Sequence, residues 1–185
     1  YVTLCSENHV KNWWYINACG ARKNIHKKLS DSSTSDFSIQ TKKLFKNDTG
    51  TYSALQAGIN RLQTNTYNQS QLQLKYQIVN EFGTSLGVIV KLGEDVQDTL
   101  ALRNSFELSY TKLFNDKPIE IVFESTTYGG SKLFGTERSD LTQSISISAP
   151  LTKRFAVSAG ISKTNSSIDY YDNVNPTVSF QYIQN

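Results

Sequence analysis

The sequence has few of the residues that usually mark a catalytic or metal-binding mechanism. Its 185 residues include only two histidines and two cysteines, and no methionine. No run of about 18 apolar residues occurs, which excludes a transmembrane helix. There is also no glycine-rich phosphate loop and no convincing pair of carboxylates. The one grouping that could supply an acid, a base and a nucleophile is His26 with Ser30 and Asp31, in an expected loop. We therefore expect no enzyme, no cofactor and no metal site.

Charge is also sparse. Charged residues make up 19% of the chain and the net charge is +3, without the dense basic surface that nucleic-acid binding requires. We therefore expect no nucleic-acid partner. The single dense basic cluster, Arg22, Lys23, Lys27 and Lys28, is either a solvated loop or a contact for lipopolysaccharide or another polyanion. The chain has no initiating methionine and no charged-then-apolar leader, so we expect any signal peptide to have been removed, and the chain could equally be a fragment.

The two cysteines leave three interpretations open. Cys5 and Cys19 are 14 residues apart and would close a short loop in an oxidising compartment. They could instead be free thiols. A metal site would need His9 and His26 as well, in the spacing C-x3-H-x9-C-x6-H, which matches no common zinc pattern. We expect the disulfide.

Most of the chain alternates apolar and small polar residues with a period of two, which predicts strands with one apolar face and one polar face. In the clearest case Leu141, Ile145, Ile147 and Ala149 oppose Thr142, Ser144, Ser146 and Ser148. Strands are predicted at 37–45, 51–62, 70–80, 85–93, 101–113, 118–125, 141–149 and 154–162, with a last strand that carries Val178, Phe180 and Tyr182.

The connections between these strands predict the architecture. Those near 47, 83, 116 and 152 are short, whereas those near 30, 67, 97, 133 and 169 are mostly longer, and 126–140 is the longest. This pattern indicates an all-β, antiparallel up-and-down β-barrel of about 8–10 transmembrane strands over residues 36–185. Residues 1–35 are expected to be an irregular N-terminal segment that includes at most a first strand. Aromatic residues lie at the short turns (Phe45, Phe82, Phe114, Phe155) and in the long loops (Tyr67, Tyr128, Tyr170, Tyr171), as in the two aromatic belts of a membrane barrel.

Alternation alone leaves open whether the apolar face meets lipid or a dry core, since a soluble sandwich shows the same pattern. Two features favour lipid. The polar face is rich in Ser, Gln, Gly and Thr rather than Lys and Glu, and most strands have the nine or more residues that a tilted membrane strand needs. We therefore expect one set to point outward (Leu72, Leu74, Ile145, Ile147, Val157, Ile161) and another inward (Gln73, Ser144, Ser146, Ser158).

A few charges fall on the polar face: Lys75, Lys91, Glu107, Glu120 and Glu124. If Asn115 and Asp116 form a two-residue turn, Glu107 lies directly opposite Glu124, where like charges repel. Lys91, on the preceding strand, is the expected compensating charge. These residues either fill a narrow barrel interior or line a charge-selective pore.

Two stretches carry a family resemblance: SYTKLFNDKPIEIVFES and SISISAPLTKRFAVSAGISKTNSSIDYYDNVNPTVSFQY. Their strands and turns resemble the C-terminal half of Gram-negative outer-membrane β-barrels. They are most similar to the barrels of surface-lipoprotein assembly modifiers and of exopolysaccharide or phage-receptor porins. The resemblance covers about residues 37–182 and departs from those barrels where Ile183, Gln184 and Asn185 follow Tyr182. It implies a location in the bacterial outer membrane, in contact with the lipid bilayer and lipopolysaccharide.

The function that we expect is non-enzymatic. The barrel would be a partner-docking scaffold, or a narrow or plugged pore, for surface export or recognition. Large aromatic side chains often anchor interfaces, so the residues expected to bind a protein partner are Tyr128, Phe134, Tyr170 and Tyr171. The alternative is a soluble, secreted all-β adhesin or toxin-like binding module.

Overall fold

The computed structural model describes residues 2–10, 14–26, 31–46, 50–115, 117–133, 135–152 and 155–182. These residues form eleven antiparallel strands and one single-turn 3-10 helix, Asp169–Tyr171. No helix in these ranges is long and apolar enough to cross a membrane. The strands are β1 (Val2–His9), β2 (Trp14–His26), β3 (Asp31–Lys46), β4 (Tyr52–Thr64), β5 (Asn68–Val79), β6 (Ser85–Gly93), β7 (Ala101–Phe114), β8 (Lys117–Leu133), β9 (Thr136–Pro150), β10 (Phe155–Ser166) and β11 (Asn173–Tyr182).

All eleven strands belong to one up-and-down sheet, in the order β1 to β11. The all-β, antiparallel, up-and-down prediction is therefore confirmed. The sheet is open, however, because among the described residues β1 pairs only with β2 and β11 only with β10. The expected closure into a barrel of 8–10 strands is not found. Alternation along a strand reports which face each residue occupies, and it carries no information about whether the first and last strands meet.

The amino-terminal part is more regular than expected. β1, β2 and the start of β3 occupy the segment 1–35, where we expected an irregular chain with at most a first strand. β1 is polar at Ser6, Glu7 and Asn8, and the second half of β2 is basic, so neither strand shows the apolar alternation that predicts strands. β1 and β2 nevertheless pair without a break in register, from Val2 opposite Arg22 to His9 opposite Tyr15.

The predicted long loop at 126–140 is also wrong. β8 continues to Leu133 and β9 begins at Thr136, so only 134–135 connects them. Gly129 and Gly130, which lie within that predicted loop, belong to a β-bulge. The register shifts between Gly129 and Ser131, and Gly130 has a φ of +100°, a conformation that glycine tolerates.

The two faces of the sheet differ in exposure in the direction expected. Five of the six apolar residues predicted to point outward are exposed, and Val157 is half-buried. The four polar residues predicted to point inward are all half-buried. A Cβ at Gly58, on the polar face, would overlap the main chain of Ile39 and Gln40. The polar face is thus the less exposed side of the sheet.

Candidate functional site

The outward face is a broad apolar band without a core beneath it. Ala101 is the only hydrophobic side chain that is buried among the described residues. By contrast, Ile59 is 60% exposed, Ile145 50% and Val178 68%. On β9 the band runs from Leu141 to Ala149, with the side chains of Ile145 and Ile147 outward. Apolar surface on this scale marks a binding or membrane surface in a folded protein.

One edge of the band carries an aromatic residue at every connection. We call this edge the turn rim; its connections are 10–13, 47–51, 80–84, 115–116 and 151–154. The exposed aromatic residues in or next to them are Trp14, Phe45, Phe82, Phe114 and Phe155. The Lys43 ammonium lies 5.1 Å from the Trp14 ring and 5.0 Å from the Phe45 ring. Aromatic rings together with lysine are typical of a membrane–water interface.

The opposite edge, which we call the loop rim, has the connections 27–30, 65–67, 94–100, 134–135 and 167–172. Among the described residues of this rim, the aromatic side chains do not form a matching exposed belt. Tyr170 is 88% exposed, but Tyr67, Tyr128 and Tyr171 are half-buried. The two rims therefore differ in what they present, with aromatic rings on one and a polar network on the other.

Asp140 is the centre of that network and is nearly inaccessible, at 4% exposure. It lies beyond Leu141 and so outside the apolar band. Arg138 donates two hydrogen bonds to it, of 2.9 and 2.5 Å, and the Ser166 hydroxyl donates a third of 2.6 Å. Burial alone would raise the pKa of the Asp140 carboxyl, but these hydrogen bonds and the charge of Arg138 outweigh burial and lower that pKa. The carboxylate is thus held in its charged form.

The same network fastens the 167–172 connection to the β8–β9 hairpin. The amide of Ser139 donates to the Ser167 hydroxyl at 2.9 Å, and the amide of Ser167 donates to the Ser139 carbonyl at 2.8 Å. The Ser166 amide donates to an Asp172 carboxylate oxygen at 2.6 Å. This connection is therefore a preformed surface rather than a loose loop.

The four residues predicted to bind a partner have different environments. Tyr171 packs against Arg138, whose guanidinium carbon lies 3.5 Å from the ring centre. Tyr170 stands edge-on to Tyr171 at 5.3 Å and is the one that projects into solvent. Tyr128 lies opposite Asp140 in the β8–β9 register and is half-buried. Burial raises the pKa of the Tyr128 hydroxyl, and Glu124 and Tyr67 add to the shift. Phe134 lies outside the described residues.

Sequence reasoning missed Gln69, which anchors the 94–100 connection. Its side chain is 1% exposed, and its amide donates to the carbonyls of Glu94 at 2.8 Å and Leu102 at 2.6 Å. Gly93 makes room for it, since a Cβ there would overlap the Leu102 carbonyl and approach that amide. One glutamine among many in a polar strand gives no signal of this role.

The predicted charges on the polar face fall where the register places them. Phe114 pairs with Lys117, and Glu107 therefore lies directly opposite Glu124, as expected. Lys91, the expected compensating charge, pairs with Ser105 and so lies on the same face, diagonal to Glu107, although none of the ion pairs in the described residues involves it. Glu124 instead accepts a 2.8 Å hydrogen bond from Thr126, and Glu120 lies 3.4 Å from the Ser148 hydroxyl.

Cys5 and Cys19 lie directly opposite each other on β1 and β2 and are joined by a disulfide. The disulfide interpretation is thus the one that the structure supports, and these cysteines are not available as metal ligands. Within the described ranges, no group of three or more His, Cys, Asp or Glu side chains is arranged to hold a metal ion.

Comparisons with protein families, with curated proteins and with solved structures gave no match for this chain.

Proposed function

We propose that this chain forms the wall of a Gram-negative outer-membrane β-barrel and works without catalysis. It acts there as a docking scaffold, or as a narrow or plugged pore, for surface export or recognition. The observation that carries the proposal is the exposed apolar band, which ends in an aromatic rim. In this assignment the band meets lipid, and the loop rim faces lipopolysaccharide and a protein partner.

Energetics support lipid as the medium around the band. A soluble domain gains most of its stability by removing apolar side chains from water. Here the large apolar side chains lie on the outside, and among the described residues only Ala101 is buried as a hydrophobic core residue. Lipid or a large partner must therefore cover the band, because in water it would be a site of aggregation.

Membrane insertion adds a requirement for the sheet edges. Each backbone N–H or C=O group left unpaired in hydrocarbon costs several kcal/mol, so membrane strands form closed barrels. The outer edges of β1 and β11 must therefore be paired when the sheet is in a bilayer. Barrel closure is part of the proposal for this reason.

At the loop rim, we propose that Tyr170 is the residue that contacts a partner directly. It is 88% exposed and stands on a connection that Ser167 and Asp172 hold in place. Tyr171 supports Tyr170, since its ring stands edge-on to the Tyr170 ring and packs against Arg138. A rigid scaffold that presents one exposed aromatic ring is a common form of recognition site.

The open edges favour a second candidate, a secreted all-β adhesin or toxin-like module. In that case another protein would cover the apolar face and extend the sheet at β11 by strand addition. No bilayer is then needed.

Flotation with phospholipid vesicles tests the choice between the two. The chain is refolded with vesicles, washed with alkaline carbonate and centrifuged through a density gradient. We expect it to float with the vesicles after the wash and to be released only by detergent. A chain that folds without lipid and stays at the bottom of the gradient would contradict the membrane proposal.

A further inference from the structure

A groove follows β10 along the outward face of the sheet. On this face Ala159 lies between Ile147 of β9 and Val178 of β11 in the strand register. The methyl group of Ala159 is much smaller than either neighbouring side chain, so the surface is lower there. The hollow has a volume of about 390 Å³. The outward side chains that line it are all apolar: Ile121, Ile145, Ile147, Ala159 and Ile161.

A second hollow, of about 330 Å³, continues the groove toward the loop rim. The two hollows share Ile145 and Ile161, which lie directly opposite each other. Between Ala159 and Lys163 the groove follows four residues of extended strand, about 14 Å. This length is close to half of the roughly 30 Å hydrocarbon core of a bilayer, the depth that the acyl chains of one leaflet fill.

The loop-rim end of the groove carries a positive charge. Lys163 lies between Gln143 of β9 and Val174 of β11, and all three residues line the second hollow. Lys163 is exposed, and none of the ion pairs in the described part of the chain involves it. An apolar groove that ends at an ammonium group is complementary to a molecule with a hydrocarbon chain and an anionic end.

We propose that this groove binds one lipid whose headgroup carries a phosphate and a net negative charge. One acyl chain lies over Ala159 and Ile161. The headgroup phosphate contacts the Lys163 ammonium, and the Gln143 side-chain amide donates beside it. The inference rests on the proposed function and deepens it, because it names the class of lipid that the apolar band prefers at β9 to β11.

Fluorescence quenching by brominated lipids measures this preference. The reporter variant is Leu141→Trp in a chain with Trp13→Phe and Trp14→Phe, because Leu141 is two residues from Gln143 on the same face of β9 and does not line either hollow. The chain is dissolved in dodecyl maltoside micelles that contain a small fraction of chain-brominated phosphatidylglycerol or phosphatidylcholine. We expect half-maximal quenching at a roughly fivefold lower fraction of phosphatidylglycerol, because a lysine at this depth favours an anionic headgroup by about that factor.

Two variants separate the headgroup contact from the chain contact. Lys163→Gln should abolish the preference for phosphatidylglycerol. Ala159→Leu fills the groove and leaves Lys163 in place, and it should remove most of the preference, because the acyl chain no longer fits beside the lysine. Arg61→Gln is the matched control and should change nothing. Arg61 is likewise an exposed cation at the loop-rim end of the outward face, but it lies on β4, far from β10 in the sheet order.

The proposal is overturned if both lipids quench at the same fraction, or if Arg61→Gln removes the preference as Lys163→Gln does. It is also overturned if Ala159→Leu keeps the full preference, because Lys163 alone then accounts for it. Circular dichroism shows whether each variant keeps its strands, and Ala159→Val takes the place of Ala159→Leu if the leucine variant unfolds. The micelle measurement does not require insertion into vesicles, so its failure is distinct from a failure of the flotation experiment.

Discussion

At the scale of single residues, Asp140 shows how a carboxylate stays charged in an enclosed place. Arg138 and Ser166 fill its hydrogen-bonding positions, and the Tyr171 ring covers the guanidinium of Arg138. The arrangement joins β9, β10 and the 167–172 connection in one network. Asp140 is therefore the residue whose loss should most affect the loop rim.

We expect Asp140→Asn to lower the free energy of unfolding by about 1–3 kcal/mol, because it removes charged hydrogen bonds from a buried position. The lowered pKa of Asp140 gives the effect a pH dependence. The charged Asp140 carboxylate contributes its full stabilisation when the pH is above the unfolded-state pKa of about 3.9. This stabilisation is lost as the pH falls through the lower pKa of the folded state. Denaturant unfolding at several pH values measures both. Asp169→Asn, on the same connection and exposed, is the control, and an equal loss there would contradict the assignment.

For the outward-facing residues, the predicted stability cost of a charged substitution depends on whether lipid or water surrounds them. Ile145 is near the middle of the band on β9 and Leu141 is at its loop-rim edge. In a bilayer, Ile145→Arg should cost about 2–4 kcal/mol and Leu141→Arg about 0–1 kcal/mol. In water both are exposed and should change stability by at most about 0.5 kcal/mol. Unfolding titrations in lipid vesicles measure the pair, and equal small effects there would mean that the band does not meet lipid.

Side-chain direction was largely predictable from the sequence, and its exceptions have a clear cause. Period two assigned Leu72, Ile147 and Ser144 to the correct faces because it follows directly from strand geometry. Tyr128 was misplaced in an exposed loop because β8 continues past it. The Asp140–Ser166 and Gln69–Leu102 contacts join residues far apart in sequence, and no local pattern encodes such pairs.

At the scale of elements, β1 is the strand whose own sequence least favours a strand. It is polar, lies at an edge and pairs only with β2 among the described strands, and the Cys5–Cys19 disulfide joins it covalently to that strand. β8 and β9 differ, since they pair with each other along almost their whole length. The sequence pattern predicted neither β1 nor the full length of β8 and β9. Strand pairing can hold a polar segment in a sheet even where the sequence has no apolar alternation.

Removing the disulfide should therefore affect β1 selectively. On the chain-entropy estimate, a loop of this length contributes about 3 kcal/mol. We expect Cys5→Ser with Cys19→Ser to raise amide hydrogen exchange across residues 2–9, while β5 to β10 keep their protection. Without reductant, thiol labelling of the wild-type chain should modify neither cysteine. Labelling of both, or exchange that rises throughout the sheet, would contradict this role.

At the scale of the whole molecule, the number of strands constrains how the sheet can close. In an up-and-down sheet of eleven strands, β1 and β11 run in the same direction. Direct pairing of the two would be parallel, whereas single-chain bacterial outer-membrane barrels are antiparallel and have an even number of strands. An antiparallel closure therefore needs an odd number of further strands between β11 and β1. The sequence pattern left this open, because its nine predicted strands are odd in number, whereas the first strand that it also allowed within residues 1–35 would have made the number even.

The orientation of the whole sheet in a bilayer can be read from tryptophan depth. Trp13 and Trp14 are the only tryptophans, and Trp14 lies at the turn rim. In Trp13→Phe, we expect Trp14 fluorescence to be quenched most by lipids brominated near the headgroup, because the membrane proposal places the aromatic rim at the interface. In a variant with Trp13→Phe, Trp14→Phe and Ile145→Trp, quenching should be strongest with lipids brominated near the chain ends, because the same proposal has β9 cross the hydrocarbon. If both tryptophans were quenched equally by the headgroup bromines, the sheet would lie flat on the membrane. If neither were quenched, the apolar band would not contact lipid at all.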